Sequence, residues 1–263
     1  MASVAGMSRT LTDDLGHRVE LPDGPVTRVV SLVPSLTEAI AATRVGALVG
    51  ATDWCTHPRD LDVPRVRGTK NPDRAAITAL EPELVVVVQE ENRELDVRRL
   101  REAGVPVWVC VIESVPQALA AMRRLFTDVL AWGAPSWLTE VEEAWGTPDL
   151  MPARACVVVP IWRDPWMVVG ARNFTTDLLG RVGLHNVFGD DEARYPHVEL
   201  PDLDAAGADL VLLPDEPYVF TAEDGPEAFA STPTRLVSGR LLTWYGPSLL
   251  EARRELLGIG AGG

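Results

Sequence analysis

Short runs rich in β-branched residues alternate with helical patterns through the first half of the chain, and no other feature constrains the fold as strongly. The run Arg28–Val33 precedes a helical pattern at Leu36–Thr43. The run Leu84–Val88 precedes another at Arg93–Ala103, which leads into a strand at Pro106–Ile112. Strands and helices in this order predict βαβ units on a largely parallel sheet, and hence an α/β fold.

The alternation recurs in the second half, from a strand at Ala155–Ile161 through a helix at Thr175–Val182 to a strand at Asp209–Leu213. Between the two series lie two segments with helical spacing, broken at Gly133 and Pro135. We therefore predict two Rossmann-like α/β lobes joined by a helical connector. The predicted boundaries are residues 11–113 for the first lobe, 114–152 for the connector and 153–258 for the second lobe.

The net charge narrows the range of partners. The 263 residues include 24 lysines and arginines against 38 aspartates and glutamates, a formal net charge of −14. A field of this sign repels phosphate backbones and anionic lipid surfaces, so we expect no nucleic-acid partner. The apolar stretches Leu84–Val88 and Ala155–Trp162 are far shorter than the roughly 18 residues of a membrane helix, so we also expect no membrane insertion.

The amino-terminal sequence bears on location. Its first segment has no basic region followed by an apolar stretch, and no cysteine that could carry a lipid. Cys55, Cys110 and Cys156 are an odd number, which fits reduced thiols. We therefore expect a cytoplasmic protein, with a periplasmic or other extracytoplasmic location only if a leader has been removed.

The segments that follow the predicted strands are rich in aromatic residues. In an open parallel sheet, ligands bind beyond the carboxyl ends of the strands. Aromatic side chains gathered there suit a large, flat, partly apolar ligand, although a single loop tryptophan is as often a cap on the edge of the core. The predicted aromatic site residues are Trp54, Trp162, Trp166, Tyr218, Trp244 and Tyr245.

Motifs of enzymes are mostly absent from the sequence, which contains no G-x-S-x-G, no phosphate-binding loop, no H-E-x-x-H and no paired C-x-x-C. Cys55 and His57 offer two metal ligands, fewer than the four typical of structural zinc. Glu38 lies three residues after Ser35, and this spacing predicts a capping box rather than a site residue. We therefore predict no catalytic residue, no directly bound metal and no intrinsic cofactor.

Several segments resemble one family in their sequence and their order. These segments are Arg28–Glu38, Val49–Asp53, Ala79–Val85, Val169–Phe174, Gly183–Phe188 and Asp209–Leu213. Together they resemble the helical-backbone metal receptors, the class III periplasmic binding proteins that deliver cobalamin, haem and ferric siderophores to ABC importers. The resemblance extends over nearly the whole chain and is closest to the cobalamin-binding members.

The resemblance implies a bilobal periplasmic-binding-protein-like fold, with the ligand held in the cleft between the lobes and no covalent chemistry. The expected ligand is a corrinoid such as cobalamin, or another metal chelate. The aromatic residues would contact the macrocycle, and Lys70, Asn92 and Arg172 would meet its polar substituents. Importer-docking members carry a glutamate on each lobe, whereas Ala75 and Pro201 stand at the matching positions here, so the docking salt bridges would be missing.

Two alternatives stay open at the level of sequence. A ferric-siderophore or haem receptor of an ABC importer would need converging cations, and the candidates are Arg67, Arg163, Arg172 and Arg194. An enzyme acting on a metal chelate or tetrapyrrole, such as a chelatase, would need an acid or base at the ligand. The candidates for that role are Asp53, His57, Glu90 and Glu216. The partners of these side chains distinguish the three functions.

Overall fold

The computed structural model describes residues 8–146 and 149–260, which form two units. Unit 1 consists of the described residues up to Ile112 together with Gln117–Glu142 and Tyr245–Pro247, and unit 2 consists of the remainder. The predicted connector, residues 114–152, is therefore not a separate segment, because most of it belongs to unit 1. Its residues 147–148, like the first seven residues of the chain, lie outside the described part.

Unit 1 contains one parallel sheet and two small antiparallel pairs. Its strands are β1 Ser8–Thr12, β2 Arg18–Pro22, β3 Val29–Ser31, β4 Leu48–Ala51, β5 Arg67–Gly68, β6 Asn71–Pro72, β7 Leu84–Val88 and β8 Val107–Cys110. The helices that lie wholly or mostly in it are α1 Pro34–Arg44, α2 Arg74–Ala79, α3 Glu94–Glu102, α4 Val115–Arg124, which continues as a π-helical turn at Leu125–Val129, and α5 Ser136–Trp145. The parallel sheet has the order β4-β3-β7-β8.

The apolar runs found in the sequence make up this sheet. Parallel sheets are covered on both faces, so their strands are continuous apolar runs, and every residue of β7 is buried. Ile77 of α2 and Leu100 of α3 pack in the same core cluster as Val85 and Val87 of β7. The hairpin β1–β2 was not predicted, because each of its strands has only five residues and one polar face.

The helices α1 and α3 are bounded in different ways. α1 begins at Pro34, whose fixed φ suits the first helical turn, and its N-cap Val33 makes no side-chain capping bond. The predicted capping box is therefore wrong, because Ser35 and Glu38 lie at the second and fifth positions of the helix. α3 ends as predicted: Gly104 follows it with a φ of 81°, a left-handed conformation that glycine adopts without a steric penalty.

Unit 2 contains a second parallel sheet with the order β12-β9-β13-β14, and a short antiparallel pair, β10 with β11. The predicted strand at residues 155–161 is thus divided between two sheets. The strands are β9 Ala155–Val158, β10 Pro160–Trp162, β11 Met167–Val168, β12 Leu184–Asn186, β13 Leu210–Pro214 and β14 Thr234–Val237. The helices are α6 Phe174–Arg181, α7 Leu200–Asp204, α8 Arg240–Thr243 and α9 Ser248–Leu257. Counted along the chain, both parallel sheets have the strand order 2-1-3-4.

Two further expectations concern the surface. Ala75 on α2 and Pro201 on α7, the residues at the matched docking positions, are both exposed. Among the described residues, none of the helices has both the length and the apolar character that crossing a bilayer requires.

Candidate functional site

The shared strand order gives each unit a comparable edge. In both parallel sheets the second strand lies on one side of the first, and the third strand lies on its other side. Such a topological switch point, at the carboxyl ends of the first and third strands, is where open α/β sheets bind ligands. It lies beyond β3 and β7 in unit 1 and beyond β9 and β13 in unit 2.

Two predicted aromatic residues meet near the switch point of unit 2. Trp162 ends β10, which comes directly after β9, and Tyr218 lies in the loop after β13. Their ring centroids are 5.6 Å apart with an interplanar angle of 80°, an edge-to-face contact. Trp162 is 44% exposed, and Val219 beside the tyrosine is 62% exposed. We call Trp162, Tyr218 and Val219 the aromatic shelf, since they offer apolar area where this fold class binds ligands.

A charged network holds the tyrosine of the shelf. The Tyr218 hydroxyl donates to Asp224 Oδ2 over 2.6 Å, and the Arg163 guanidinium donates to Oδ1 of the same carboxylate. Arg163 Nη1 also lies 2.5 Å from Glu227 Oε1. The hydrogen bond from Tyr218 lowers the pKa of Asp224, and the one from Arg163 lowers the pKa of Glu227. Both carboxylates are therefore ionised at neutral pH.

Trp166 belongs to the core of unit 2, which corrects its predicted role as a ligand contact. It is 7% exposed, and its ring stacks on Phe220 with centroids 5.9 Å apart and 10° between the planes. Phe229 meets the ring edge-on at 5.4 Å, and Arg163 lies over the ring, 5.5 Å from its centroid. The turn between β10 and β11 separates the two tryptophans, so that Trp162 stays on the surface while Trp166 enters the core.

Trp244 is also buried, and its indole contacts two residues of unit 2. Its Nε1–H donates to Glu216 Oε1 over 2.6 Å, and the Arg240 guanidinium lies 5.9 Å from its ring centroid. Burial raises the pKa of Glu216, although the hydrogen bond from Trp244 opposes that effect. Gly239 is packed so closely against Glu216 that a Cβ there would collide with it. Trp244 is therefore a structural residue rather than the predicted ligand contact. Glu216, a candidate catalytic acid in the sequence, is its structural partner.

In unit 1, Asn92 ties together the loops at the switch point. Its amide nitrogen donates to Leu32 O over 3.2 Å and to Thr69 O over 3.1 Å. Its side-chain oxygen accepts the Val88 amide at 3.0 Å. Because these bonds use the polar atoms of a buried side chain, the prediction that Asn92 meets polar ligand substituents is corrected to a structural role.

The loop after β7 also engages Tyr245 and Lys70. The Tyr245 hydroxyl donates to Glu91 Oε1 over 3.1 Å, and burial raises the pKa of this phenol well above its ordinary value. Lys70 is exposed, and its Nζ donates to the Glu90 carbonyl over 2.6 Å. Tyr245 is thus part of the interior, which corrects its predicted role, whereas Lys70 stays a surface candidate.

Trp54 is the most exposed of the predicted aromatic residues, at 66%. It follows β4, and its indole Nε1 lies beside Gly68, where a Cβ would come within 3.3 Å of it. Arg172 is likewise exposed, in a left-handed conformation with a φ of 47°. Both residues stay predictions as ligand contacts.

The four arginines considered as cations for a siderophore have partners inside their own units. Arg163 pairs with the two carboxylates of the network, and Arg194 pairs with Glu113. Arg67 Nε lies 3.5 Å from Asp73 Oδ2. Arg172 donates to the Glu192 carbonyl over 3.2 Å. These four side chains therefore do not supply a set of converging, unneutralised cations.

The metal and enzyme alternatives depend mainly on the loop after β4. Cys55 Sγ is buried 3.0 Å from the Thr37 hydroxyl and 3.1 Å from that of Thr52, and burial raises the pKa of this thiol. His57 Nδ1 lies 3.1 Å from the Thr56 hydroxyl. Within residues 8–146 and 149–260, no three His, Cys, Asp or Glu side chains are grouped to hold a metal ion.

Asp224 and Glu227 are the site residues that sequence reasoning missed. They lie in a polar segment after β13 whose composition is that of an ordinary surface loop. Their importance comes from the loop folding back, since Phe220 N donates to Pro214 O and Thr221 N to Asp224 O. The sequence signal for these two carboxylates was Arg163, a lone arginine between Trp162 and Trp166. A charged side chain among aromatic residues needs a carboxylate partner if it is to be buried.

Sequence comparison finds relatives with one named function. No protein-family model matches the chain. The vitamin B12-binding protein of Vibrio parahaemolyticus is 23% identical over 186 residues, which are 67% of this chain and 66% of that protein. The vitamin B12-binding protein of Salmonella typhi is 26% identical over 181 residues, 65% of this chain and 66% of that protein. The chain thus spans about two thirds of the length of these relatives.

Structural comparison extends the similarity to nearly the whole chain. The periplasmic vitamin B12-binding protein BtuF of Vibrio cholerae has a TM-score of 0.70 at 16% identity, covering 89% of this chain and 96% of that one. The resemblance and the α/β fold predicted from the sequence are confirmed. BtuF of Vibrio cholerae is a periplasmic protein, so this similarity does not support the expected cytoplasmic location.

Proposed function

We propose that this chain, which has the fold of the periplasmic binding proteins, reversibly binds a corrinoid or a related metal chelate and uses the aromatic shelf of unit 2 as a contact surface. The observation that carries the proposal is the edge-to-face pair formed by the exposed Trp162 and the half-buried Tyr218 at a switch point of the sheet. An exposed tryptophan in contact with a tyrosine offers flat apolar area at little conformational cost.

The relatives support a binding role rather than an enzymatic one. Those found by sequence are vitamin B12-binding proteins, and the solved structures include haem-binding proteins as well as BtuF. The candidate acid Glu216 also has a structural partner, because its side chain accepts a hydrogen bond from the Trp244 indole. A chelatase would instead need an acid or base directed at the ligand.

The haem-binding alternative rests on fold. The periplasmic haem-binding protein RhuT of Roseiflexus sp. RS-1 has a TM-score of 0.72 at 20% identity, covering 88% of this chain and 97% of that one. Its similarity is as strong as that of BtuF, so fold does not choose between the two ligands. The ion pairs of Arg163 and Arg194 with carboxylates of unit 2 favour a ligand without several carboxylates.

The proposed location is extracytoplasmic, as it is for the solved relatives. The proposed partner is an ABC importer, reached without the glutamates that docking members of the family carry. Ala75 and Pro201 are exposed and uncharged at those positions. Fractionation of cells that express the full gene tests the location, since a cytoplasmic pool alone would contradict it.

Titration of the purified chain with cyanocobalamin, cobinamide, haemin and a ferric siderophore tests the function. Calorimetry and ligand absorbance should reveal micromolar or tighter binding of at least one corrinoid. If none of the four binds at micromolar concentration, the proposed function is wrong. Binding of haemin alone would favour the haem-binding alternative.

The variant Trp162→Ala tests the shelf. We expect affinity for the bound chelate to fall about tenfold, the loss expected from removing a stacking side chain, while the melting temperature changes little. Leu236→Ala is the matched control, because Leu236 is a 45% exposed apolar residue of the same unit outside the shelf. Equal losses of affinity in both variants would contradict a contact at the shelf.

A further inference from the structure

The aromatic shelf is bordered by more negative than positive charge. The Arg163 guanidinium has three carboxylate neighbours: Asp224 and Glu227, described above, and Asp164, whose Oδ2 lies 3.9 Å from Arg163 Nε. Asp164 is the most exposed of the three, with 88% of its side chain accessible. Since three negative charges surround one positive charge, the border of the shelf is anionic at neutral pH.

The positive charge of Arg163 is already paired with carboxylates of its own unit. One guanidinium nitrogen, Nη1, serves both Asp224 and Glu227, and the planar group also lies over Trp166. Glu227 is held from a second direction, because its Oε2 accepts the Gly225 amide at 2.5 Å. An incoming carboxylate would therefore meet a guanidinium whose charge is already balanced by two carboxylates.

The Tyr218 hydroxyl of the aromatic shelf also has its hydrogen-bond partner within unit 2. Tyr218 donates its proton to Asp224, and this bond raises the pKa of the phenol. The tyrosine therefore offers its ring to a ligand, while its one hydrogen-bond donor stays directed at Asp224. A ligand carboxylate at the shelf would meet like charges and no available donor from Tyr218.

From this arrangement we infer that Asp224 and Glu227 are specificity-determining residues, which make the shelf reject chelates bearing carboxylates and accept uncharged or cationic ones. The inference rests on the proposed function and adds a chemical class to it: a macrocycle whose side chains are amides rather than acids. Each unpaired ligand carboxylate near the shelf should weaken binding about threefold to tenfold, the range for like charges near a protein surface.

The test compares cyanocobalamin with its three monocarboxylates, in each of which one propionamide has been hydrolysed to an acid. The macrocycle and shape are the same, and only one charge differs. By calorimetry at low salt, at least one monocarboxylate should bind the unaltered chain about threefold to tenfold more weakly. The difference should shrink at 0.5 M salt, because such charges are screened over a few ångströms there.

Glu227→Gln should narrow this discrimination, since it removes one negative charge and releases Arg163 from one partner. Asp224→Asn is the second variant, and melting temperatures establish that each is folded. Glu251→Gln is the matched control: it removes a carboxylate whose side chain is 47% exposed, as that of Glu227 is, and which also pairs with an arginine, Arg240, in the same unit.

The outcomes separate the inference from the proposed function. Discrimination in the unaltered chain that narrows in Glu227→Gln or Asp224→Asn, but not in Glu251→Gln, supports the inference. Equal affinity for the parent compound and all three monocarboxylates overturns the inference and leaves the function standing. Discrimination that persists unchanged in both folded variants also overturns it. If no corrinoid binds the unaltered chain, the function fails and the inference fails with it.

Discussion

The two parallel sheets have the same strand order, but the side chains at their switch points differ in burial and in hydrogen bonding. In unit 1 the loops beyond β3 and β7 are joined by the buried amide of Asn92, and Tyr245 bonds to Glu91 beside them. In unit 2 the corresponding loops present an exposed tryptophan beside a half-buried tyrosine, with an anionic border. Topology thus fixes where loops meet, whereas side-chain burial decides whether the edge is closed or open to a ligand.

This comparison predicts that replacing the two tryptophans of the β10–β11 hairpin changes the free energy of unfolding by very different amounts. Trp166→Ala should destabilise unit 2 by about 3–5 kcal/mol, because it opens a cavity between Phe220 and Phe229. Trp162→Ala, which removes an exposed ring, should change the free energy of unfolding by less than about 1 kcal/mol. Urea denaturation measures both, and equal destabilisation would place Trp162 in the core.

The closed edge of unit 1 is tested by Asn92→Ala. The substitution removes the two bonds that Asn92 donates and also the oxygen that accepts the buried Val88 amide, so we expect a destabilisation of about 2–3 kcal/mol. Gln89→Ala is the control, because Gln89 is exposed in the same loop. If Asn92→Ala is as stable as Gln89→Ala, Asn92 does not hold the loops together and is again a candidate ligand contact.

Glu216 gives a pH-dependent test inside unit 2. Its pKa is raised in the folded state, so folding favours the neutral acid and stability falls as pH rises through that pKa. Asp215 adds to this effect, and Arg240 and Trp244 oppose it. Glu216→Gln should therefore gain more stability relative to the unaltered chain at pH 7 than at pH 4, as measured by thermal melts.

Glu216→Ala provides the contrast. It removes the acceptor of the buried Trp244 indole and should cost about 1–3 kcal/mol at pH 7. If alanine and glutamine behave alike at both pH values, the bond to Trp244 contributes nothing to stability.

The smallest effect on stability is expected for Trp54→Ala in unit 1. Because the ring is largely exposed, the free energy of unfolding should change by less than about 0.5 kcal/mol. If unit 1 also contributes a contact to the chelate, affinity should fall about threefold to tenfold. Val45→Ala, an exposed apolar truncation in the same unit, is the control. Unchanged affinity in Trp54→Ala would confine the aromatic contacts to unit 2.

Much of the fold follows from the sequence because its signals are local. The run Leu84–Val88 forms a fully buried strand, and Gly104 ends α3 where expected. The capping box at Ser35 failed because the helix begins at Pro34, two residues earlier than that pattern requires. The division into units also differed, since α4 and α5 each contain a unit boundary that local spacing cannot reveal.

The candidate site was harder to predict, because a loop residue's identity does not say which way its side chain points. Trp162 and Trp166 are four residues apart and equally aromatic, yet one is on the surface and the other is stacked between phenylalanines. Asn92 carried the same polar signal as a ligand contact would. Two of its three backbone partners, Leu32 and Thr69, are distant in the chain, so only the folded structure identifies them.

By itself the sequence determined the central strands of both parallel sheets, most helices, the acidic character and the resemblance to metal-chelate receptors, since these depend on composition and on the pattern of neighbouring residues. The tertiary structure decided which aromatic side chains remain exposed, which arginines are neutralised and that Asp224 and Glu227 border the shelf. Those properties depend on contacts such as that between Arg163 and Asp224, which lie 61 residues apart in the chain. Charge pairing and burial are therefore determined only in the folded chain, where distant loops come into contact.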